Sequence, residues 1–245
     1  MTLIRPFALA ATFFLAAASF VPTVNAAAPE HAAVQPEPRN EDWWMERHQS
    51  FNDRVKQGDV DVIFIGDSIT QGWEGDGAKQ IWDKHFGPRN AVNLGISGDR
   101  TQHVLWRLDN GNIDGIQPKL AVIMIGTNNA GENTGEEIAD GITAIVKKLN
   151  EKLPETKVLI LGIFPRGAGP DDGARQKTID ANQRVAKLAD DKNVYYLDIS
   201  DKFLSADGTL SKEIMPDLLH LSPKGYQIWA DAIEESLAKL LAEKS

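Results

Sequence analysis

The chain has 245 residues, of which 42% are hydrophobic and 25% are charged, a composition typical of a soluble globular protein. It contains no cysteine, which excludes disulfides, thiolate metal sites and a cysteine nucleophile. The net charge of −9 comes without a dense run of Lys or Arg, so a nucleic-acid partner is not expected.

The first 26 residues have the pattern of a signal peptide. Arg5 supplies a positive charge, an apolar stretch runs from Phe7 to Val21, and small residues at Val24 and Ala26 form a cleavage site. The alternative is an uncleaved anchor, since the uncharged segment is long enough to span a bilayer. We expect cleavage after Ala26, a secreted or periplasmic location, and no stable membrane anchor afterwards.

Residues 27–40 contain three prolines and show no hydrophobic periodicity, which predicts a linker. From residue 41 to residue 245, short apolar runs alternate with amphipathic stretches, the pattern of βαβ units around a parallel sheet. Five strands are predicted, at Val60–Ile65, Ala91–Leu94, Leu120–Ile125, Lys157–Gly162 and Val194–Leu197. Helices are predicted at 41–56, 77–85, 101–108, 135–153, 172–190 and from residue 223 onward.

Polar loops follow the first three predicted strands, at the edge where open parallel sheets carry their chemistry. The first contains Ser68 in Gly-Asp-Ser, the second is a glycine-rich loop that begins at Gly95, and the third contains Asn128 in Gly-Thr-Asn-Asn. Each loop taken alone has a purely structural explanation: a helix cap at Ser68, an ordinary loop at Gly95 and an Asx turn at Asn128. Taken together, they supply a nucleophile and donors for an oxyanion.

Asp217 precedes His220 by three residues, directly before the last predicted helix. In such a turn the carboxylate can bind Nδ1 of the imidazole and leave Nε2 free as a general base. The alternatives are an exposed ion pair at this position, or Asp198 or Asp201 as the acid that orients His220. The chain lacks G-x-S-x-G, G-x-x-x-x-G-K-[ST] and H-E-x-x-H motifs, so no α/β-hydrolase elbow, cofactor or metal is expected.

The four segments resemble those of the GDSL or SGNH hydrolase family, with Ser68 in GDS, Gly95 in NLGISG, Asn128 in GTNN and His220 in DLLHLS. Further stretches, GDRTQHVLWRLDNG and LGIFPRGAGP, are similar to the catalytic subunits of the type I intracellular platelet-activating factor acetylhydrolases. The resemblance implies a flavodoxin-like three-layer α/β/α sandwich with a five-stranded parallel sheet. It also implies catalytic Ser68, Asp217 and His220, with an oxyanion hole formed by Ser68 and Gly95 N–H groups and the Asn128 amide.

The expected function is an exported serine esterase that hydrolyses short-chain esters, above all acetyl esters, through an acyl-serine intermediate. Carbohydrate O-acetyl groups are the first candidate substrate, and the alternatives are a lysophospholipase or thioesterase and a non-catalytic carbohydrate-binding module. The expected partner is a small-molecule or carbohydrate ester, with a homodimer left open. Bulky residues in the loops, namely Ile69, Trp73, Ile96, Phe164 and Pro165, are predicted to form the wall of a small acyl pocket opposite Ser68.

Overall fold

The computed structural model describes residues 31–242, so the predicted signal peptide lies outside the described residues. Its centre is a five-stranded parallel sheet with the strand order β2-β1-β3-β4-β5. The strands are β1 (Val62–Gly66), β2 (Ala91–Gly95), β3 (Leu120–Met124), β4 (Lys157–Leu161) and β5 (Val194–Leu197). All five predicted strands are confirmed, with ends that differ by two residues at most.

Helices cover both faces of the sheet, as the predicted three-layer sandwich requires. In chain order they are α1 (Asp42–Val55), α2 (Ser68–Gln71), α3 (Ala78–His85), α4 (Thr101–Asp109), α5 (Gly135–Lys152), α6 (Gly173–Val185) and α7 (Pro223–Ala242). Apolar side chains of α1, α4, α5 and α6 form one core with one face of the sheet, and those of α3 and α7 form a second core with the other. Within β1, Ile63 and Ile65 enter the first core and Phe64 enters the second, because successive side chains of a strand alternate between its faces.

The order of the strands determines where the loops meet. The chain leaves β1 toward β2 on one side and returns to β3 on the other, so β1 lies between its two successors. Gly66, at the end of β1, aligns with Gly95 of β2 and Met124 of β3. The loops that follow these three strands therefore emerge side by side, at the position where α/β sheets bind ligands.

Residues 31–40 differ from the predicted linker. A 3₁₀ turn at Ala32–Val34 packs on the domain, with Ala33 fully buried and its carbonyl accepting a hydrogen bond from Thr101 Oγ1 at 2.7 Å. Further along, the guanidinium of Arg39 donates to the carbonyl of Ser97 at 2.7 Å. These contacts join residues more than fifty positions apart, so a reading of local composition could not reveal them. A smaller difference is that α6 ends at Val185, five residues before its predicted end.

The predicted acyl wall is wrong for four of its five residues. Ile69, Trp73 and Phe164 belong to the core beneath α7, and Ile96 belongs to the core on the opposite face. All four are at most 1% exposed, so they fill the space between sheet and helices. The Trp73 ring, for example, lies 5.0 Å from the ring of Trp229.

Candidate active site

Ser68 is the first residue of α2, immediately after the turn at the end of β1. Gly66 makes this turn, where a Cβ would lie 2.5 Å from the carbonyl oxygen of Met124. Asp67 caps α2 by accepting a hydrogen bond from the N–H of Ile69 at 2.9 Å. The turn leaves the Ser68 side chain half-buried at the carboxyl edge of the sheet.

The structure brings Asp217 and His220 to Ser68. Ser68 Oγ lies 2.8 Å from His220 Nε2, and His220 Nδ1 lies 2.6 Å from Asp217 Oδ2. The other carboxylate oxygen of Asp217 accepts from the backbone N–H groups of Leu219 at 3.0 Å and His220 at 2.7 Å. Leu218, between the two partners, has a φ of +62°, which folds the chain tightly enough for a residue three positions on to face the carboxylate.

Electrostatics favour an ionised Asp217. Burial alone raises the pKa of its carboxyl, but the hydrogen bonds from His220 and Leu219 outweigh burial and hold the pKa below its usual value. A charged carboxylate keeps the hydrogen of the imidazole on Nδ1 and leaves the lone pair of Nε2 directed at Ser68. The alternative acid Asp198 lies in a different network, where it accepts from the N–H of Ser200 at 2.9 Å.

Asn128 lies in a 3₁₀ turn, Thr127–Gly131, which follows β3, the strand that pairs with β1. Its side-chain amide donates to the carbonyl of Asp99 at 2.9 Å, which fixes the direction of the amide group. The amide has two hydrogens, and the second has no acceptor among the residues that the structure describes. The backbone N–H of Ser68 is also without an acceptor within residues 31–242. These two groups are the candidate donors to an oxyanion formed at an ester bound to Ser68.

Gly95 differs from the prediction in one respect. Its backbone N–H donates to the Asn93 side-chain oxygen at 2.9 Å, so the predicted third oxyanion donor is already engaged. The same Asn93 side chain donates to the carbonyl of Thr70 at 2.9 Å and thereby joins β2 to α2. Gly95 is nevertheless required for packing, because a Cβ there would lie 2.4 Å from the backbone nitrogen of Gln71. Sequence spacing could not reveal this competition, which depends on the rotamer of Asn93.

Asp67 is a buried acid next to Ser68. It is fully buried, and burial raises the pKa of its carboxyl to about 7. One oxygen accepts from Ile69, and the other has no hydrogen-bond partner among the described residues. The sequence suggested only a cap at this position, and the structure adds a carboxyl that is neutral below about pH 7.

Asp99 and Arg107, to which sequence analysis assigned no role, form a buried ion pair with Arg107 Nε 2.8 Å from Asp99 Oδ2. The burial of Arg107 had a weak sequence signal, since the residue lies between the apolar residues Leu105 and Leu108 on α4, but its contacts had none. No group of three or more His, Cys, Asp or Glu suited to a metal ion occurs in the described part of the chain. None of the helices within residues 31–242 has the length and apolar character to cross a bilayer.

A sequence model of the GDSL-like lipase/acylhydrolase family matches residues 64–228, which include Ser68, Asn128 and His220. The chain belongs to this family. It is 42% identical to the platelet-activating factor acetylhydrolase IB subunit alpha2 of Rattus norvegicus over 223 residues, which cover 89% of this chain and 93% of the relative. It is 41% identical to the human subunit alpha1 over 219 residues, which cover 87% and 93% of the two chains.

Solved structures show the same fold at lower identity. An acylhydrolase structure from Bacteroides fragilis superposes with a TM-score of 0.67 at 22% identity and covers 83% of this chain and all of that one. An acetylxylan esterase from Geobacillus stearothermophilus gives a TM-score of 0.59 at 19% identity and covers 76% of this chain and 96% of that one. As a GDSL-like acylhydrolase with acetylhydrolase relatives, the protein is a carboxylic ester hydrolase.

Proposed function

We propose that the protein hydrolyses acetyl esters through an acyl-enzyme formed on Ser68. The observation that carries the proposal is the chain of hydrogen bonds from Ser68 Oγ through His220 to Asp217. His220 Nε2 takes the hydroxyl proton as Ser68 Oγ attacks the ester carbonyl, and then returns it to the departing alcohol. Water repeats the attack on the acyl-serine, with His220 again as base, and releases the carboxylic acid.

The developing oxyanion needs donors that do not have to be freed from other partners. The Ser68 N–H, at the N-terminus of α2, and the second hydrogen of the Asn128 amide meet this requirement. The Gly95 N–H contributes as a third donor if Asn93 releases it or if the hydrogen is shared between two acceptors. We therefore assign the oxyanion hole to Ser68 and Asn128 first, and to Gly95 second.

For the substrate, we propose an acetyl ester of a phospholipid-type alcohol. The relatives that are 42% identical are named as subunits of platelet-activating factor acetylhydrolase. The carbohydrate esterase with a similar structure is 19% identical, which supports a shared fold and no more. These relatives favour the lysophospholipase-type alternative over the carbohydrate substrate that the export signal suggested. Carbohydrate O-acetyl groups are the second candidate.

The test compares wild type with Ser68→Ala on p-nitrophenyl acetate, butyrate and octanoate, and on two natural-type acetyl esters, an acetylated phospholipid and an acetylated xylooligosaccharide. We expect the highest kcat/KM for acetate among the nitrophenyl esters and for the phospholipid among the other two. Ser68→Ala should reduce every rate to a residual level, which substrate binding and the oxyanion donors alone provide. This residual rate is about 10³- to 10⁴-fold above that of the uncatalysed reaction in water. Wild-type rates in that variant would refute the acyl-serine route, and a preference for octanoate would refute acetyl specificity.

We also propose that the chain is exported after cleavage behind Ala26. The support is the sequence pattern of residues 1–26 alone. N-terminal sequencing of the protein from a secreting host should find Ala27 as the first residue, and an intact N-terminus would refute export by this route. Sedimentation of the purified protein can test the homodimer that the sequence left open.

A further inference from the structure

Arg107 is a fully buried cation below the carboxyl edge of the sheet. Its side chain is 1% exposed, although α4 is otherwise an amphipathic helix with apolar residues toward the core. A buried guanidinium is costly to desolvate unless each of its donors finds an acceptor. The contacts of Arg107 therefore indicate which parts of the molecule it holds in place.

Its donors reach two of the three segments that carry the proposed oxyanion site, and also the loop after β2 that orients Asn128 in the third. Nη1 donates to the carbonyl of Leu94 at 3.0 Å, Nη2 lies 3.4 Å from the carbonyl of Gly66, and Nε donates to the carboxylate of Asp99 at 2.8 Å. The remaining hydrogen of Nη1 donates to Asn112 at 2.9 Å. One side chain thus joins the end of β1, the end of β2 and the loop after β2.

Three of these four contacts, those to Leu94, Gly66 and Asp99, adjoin a proposed oxyanion donor. The carbonyl of Leu94 and the N–H of Gly95 belong to the same planar peptide and point in opposite directions. A hydrogen bond that holds the carbonyl in place therefore also sets the direction of the N–H. The carbonyl of Gly66 lies two residues before Ser68. The backbone carbonyl of Asp99, whose carboxylate Arg107 holds, is the acceptor that orients the amide of Asn128.

Asp99 is held from two sides, which makes this arrangement rigid. Trp44 Nε1 donates to one carboxylate oxygen at 2.6 Å while Arg107 binds the other at 2.8 Å. Burial raises the pKa of the Asp99 carboxyl, and the adjacent guanidinium opposes that shift. Trp44 is itself fully buried on α1, so α1 and α4 together anchor the loop that orients Asn128.

We propose that Arg107 is a positioning residue for the oxyanion hole, through the Leu94–Gly95 peptide and through Asp99. The inference rests on the proposed function, because it concerns donors that act only if an acyl transfer occurs on Ser68. Arg107 makes no contact with His220 or Asp217 within the described residues, so it does not act on the general base. Its effect should be confined to stabilisation of the transition state.

The decisive variant is Arg107→Lys, which keeps the positive charge but removes the planar fork that reaches several acceptors at once. Loss of one oxyanion donor costs about 10²- to 10³-fold in kcat, and a misplaced donor costs less. We therefore expect kcat and kcat/KM on p-nitrophenyl acetate to fall together by about 10- to 100-fold, with KM little changed. The pH dependence of kcat/KM should be unchanged, since the Asp217–His220 pair is untouched.

Two further variants separate positioning from support of the fold. Arg89→Lys changes an arginine that pairs with Glu234 on α7, away from the site, and should leave kcat unchanged. The double variant Arg107→Lys/Asn128→Ala should lose less than the product of the single losses, because Arg107 acts in part through Asn128. Rates are expressed per active site titrated by the p-nitrophenol burst, so misfolded protein does not count. If Arg107→Lys does not fold, Asp99→Asn replaces it, with the same expectation of a reduced kcat at constant KM.

The outcomes are distinct. A wild-type kcat per titrated site in Arg107→Lys, with only a lower melting temperature, would show that the residue supports the fold and would overturn the inference. Fully multiplicative losses in the double variant would also overturn the route through Asn128. By contrast, a wild-type enzyme without esterase activity, or an active Ser68→Ala, would refute the proposed function itself.

Discussion

Replacement of Asp217 by Asn gives the sharpest test of the triad, because it changes one charge and almost no volume. In the structure one oxygen of Asp217 accepts two backbone N–H groups and the other binds His220 Nδ1 at 2.6 Å. Asn can keep the two backbone bonds with its oxygen, so its NH₂ group then faces Nδ1. The NH₂ group donates to Nδ1 and so stabilises the imidazole tautomer that carries its hydrogen on Nε2. In this tautomer Nε2 has no free lone pair and cannot accept the proton of Ser68.

The expected magnitudes separate catalysis from stability. The wrong tautomer and the loss of charge next to the imidazolium should reduce kcat by about 10⁴-fold, as in other serine hydrolases with this substitution. The pair is half-exposed on both sides, at 45% for His220 and 56% for Asp217, so its contribution to stability is about 0 to 1 kcal/mol. For a domain of this size that corresponds to a change of at most about 2 to 4 °C in melting temperature.

The assay measures kcat on p-nitrophenyl acetate and the melting temperature of the same preparations. His31 and Asp140 provide a matched control, since they form a surface pair with 3.2 Å between Nε2 and Oδ2. Asp140→Asn should change neither quantity appreciably. Activity of Asp217→Asn within about tenfold of wild type would refute the tautomer argument and leave Ser68 and His220 as a dyad.

Three other changes test the surroundings of Ser68. Asn128→Ala should lower kcat by about 10²- to 10³-fold, and an effect on KM alone would make Asn128 a ground-state contact. Gly95→Ala should reduce the free energy of unfolding by about 1 to 3 kcal/mol, because the new methyl meets backbone atoms of α2, whereas Gly169→Ala, which meets no atom within 4 Å, should not. Asp67 has a pKa of about 7 in the folded protein, so it holds a proton there that the unfolded chain releases near pH 4, and wild-type stability should fall as pH rises from 4 to 7. Urea titrations measure the free energy of unfolding at pH 5 and at pH 8. The decrease between these two pH values should be about 2 to 3 kcal/mol smaller in Asp67→Asn than in wild type, and an equal decrease in both proteins would contradict the raised pKa of Asp67.

The strands were predictable because a parallel sheet covered on both faces requires continuous apolar runs. Val194–Leu197 was predicted with its observed bounds, and the run at Leu120 was one residue too long. The end of α6 was not predictable, since residues 186–190 have no strong breaker and the helix passes into a 3₁₀ turn there. The residues at which helices and strands end depend on weak local preferences, which packing easily overrides.

The sequence by itself determined the residue types of the site and their order along the chain, because chemistry restricts a nucleophile, a base and amide donors to few side chains. It also determined the alternation of strands and helices, which follows from hydrophobic periodicity. Tertiary structure alone decided that Ile69 and Trp73 fill the core, that the Gly95 N–H is held by Asn93, and that Arg107 joins the ends of two strands. These features depend on contacts between residues distant in sequence and on side-chain rotamers, for which the order of residues along the chain gives no local signal.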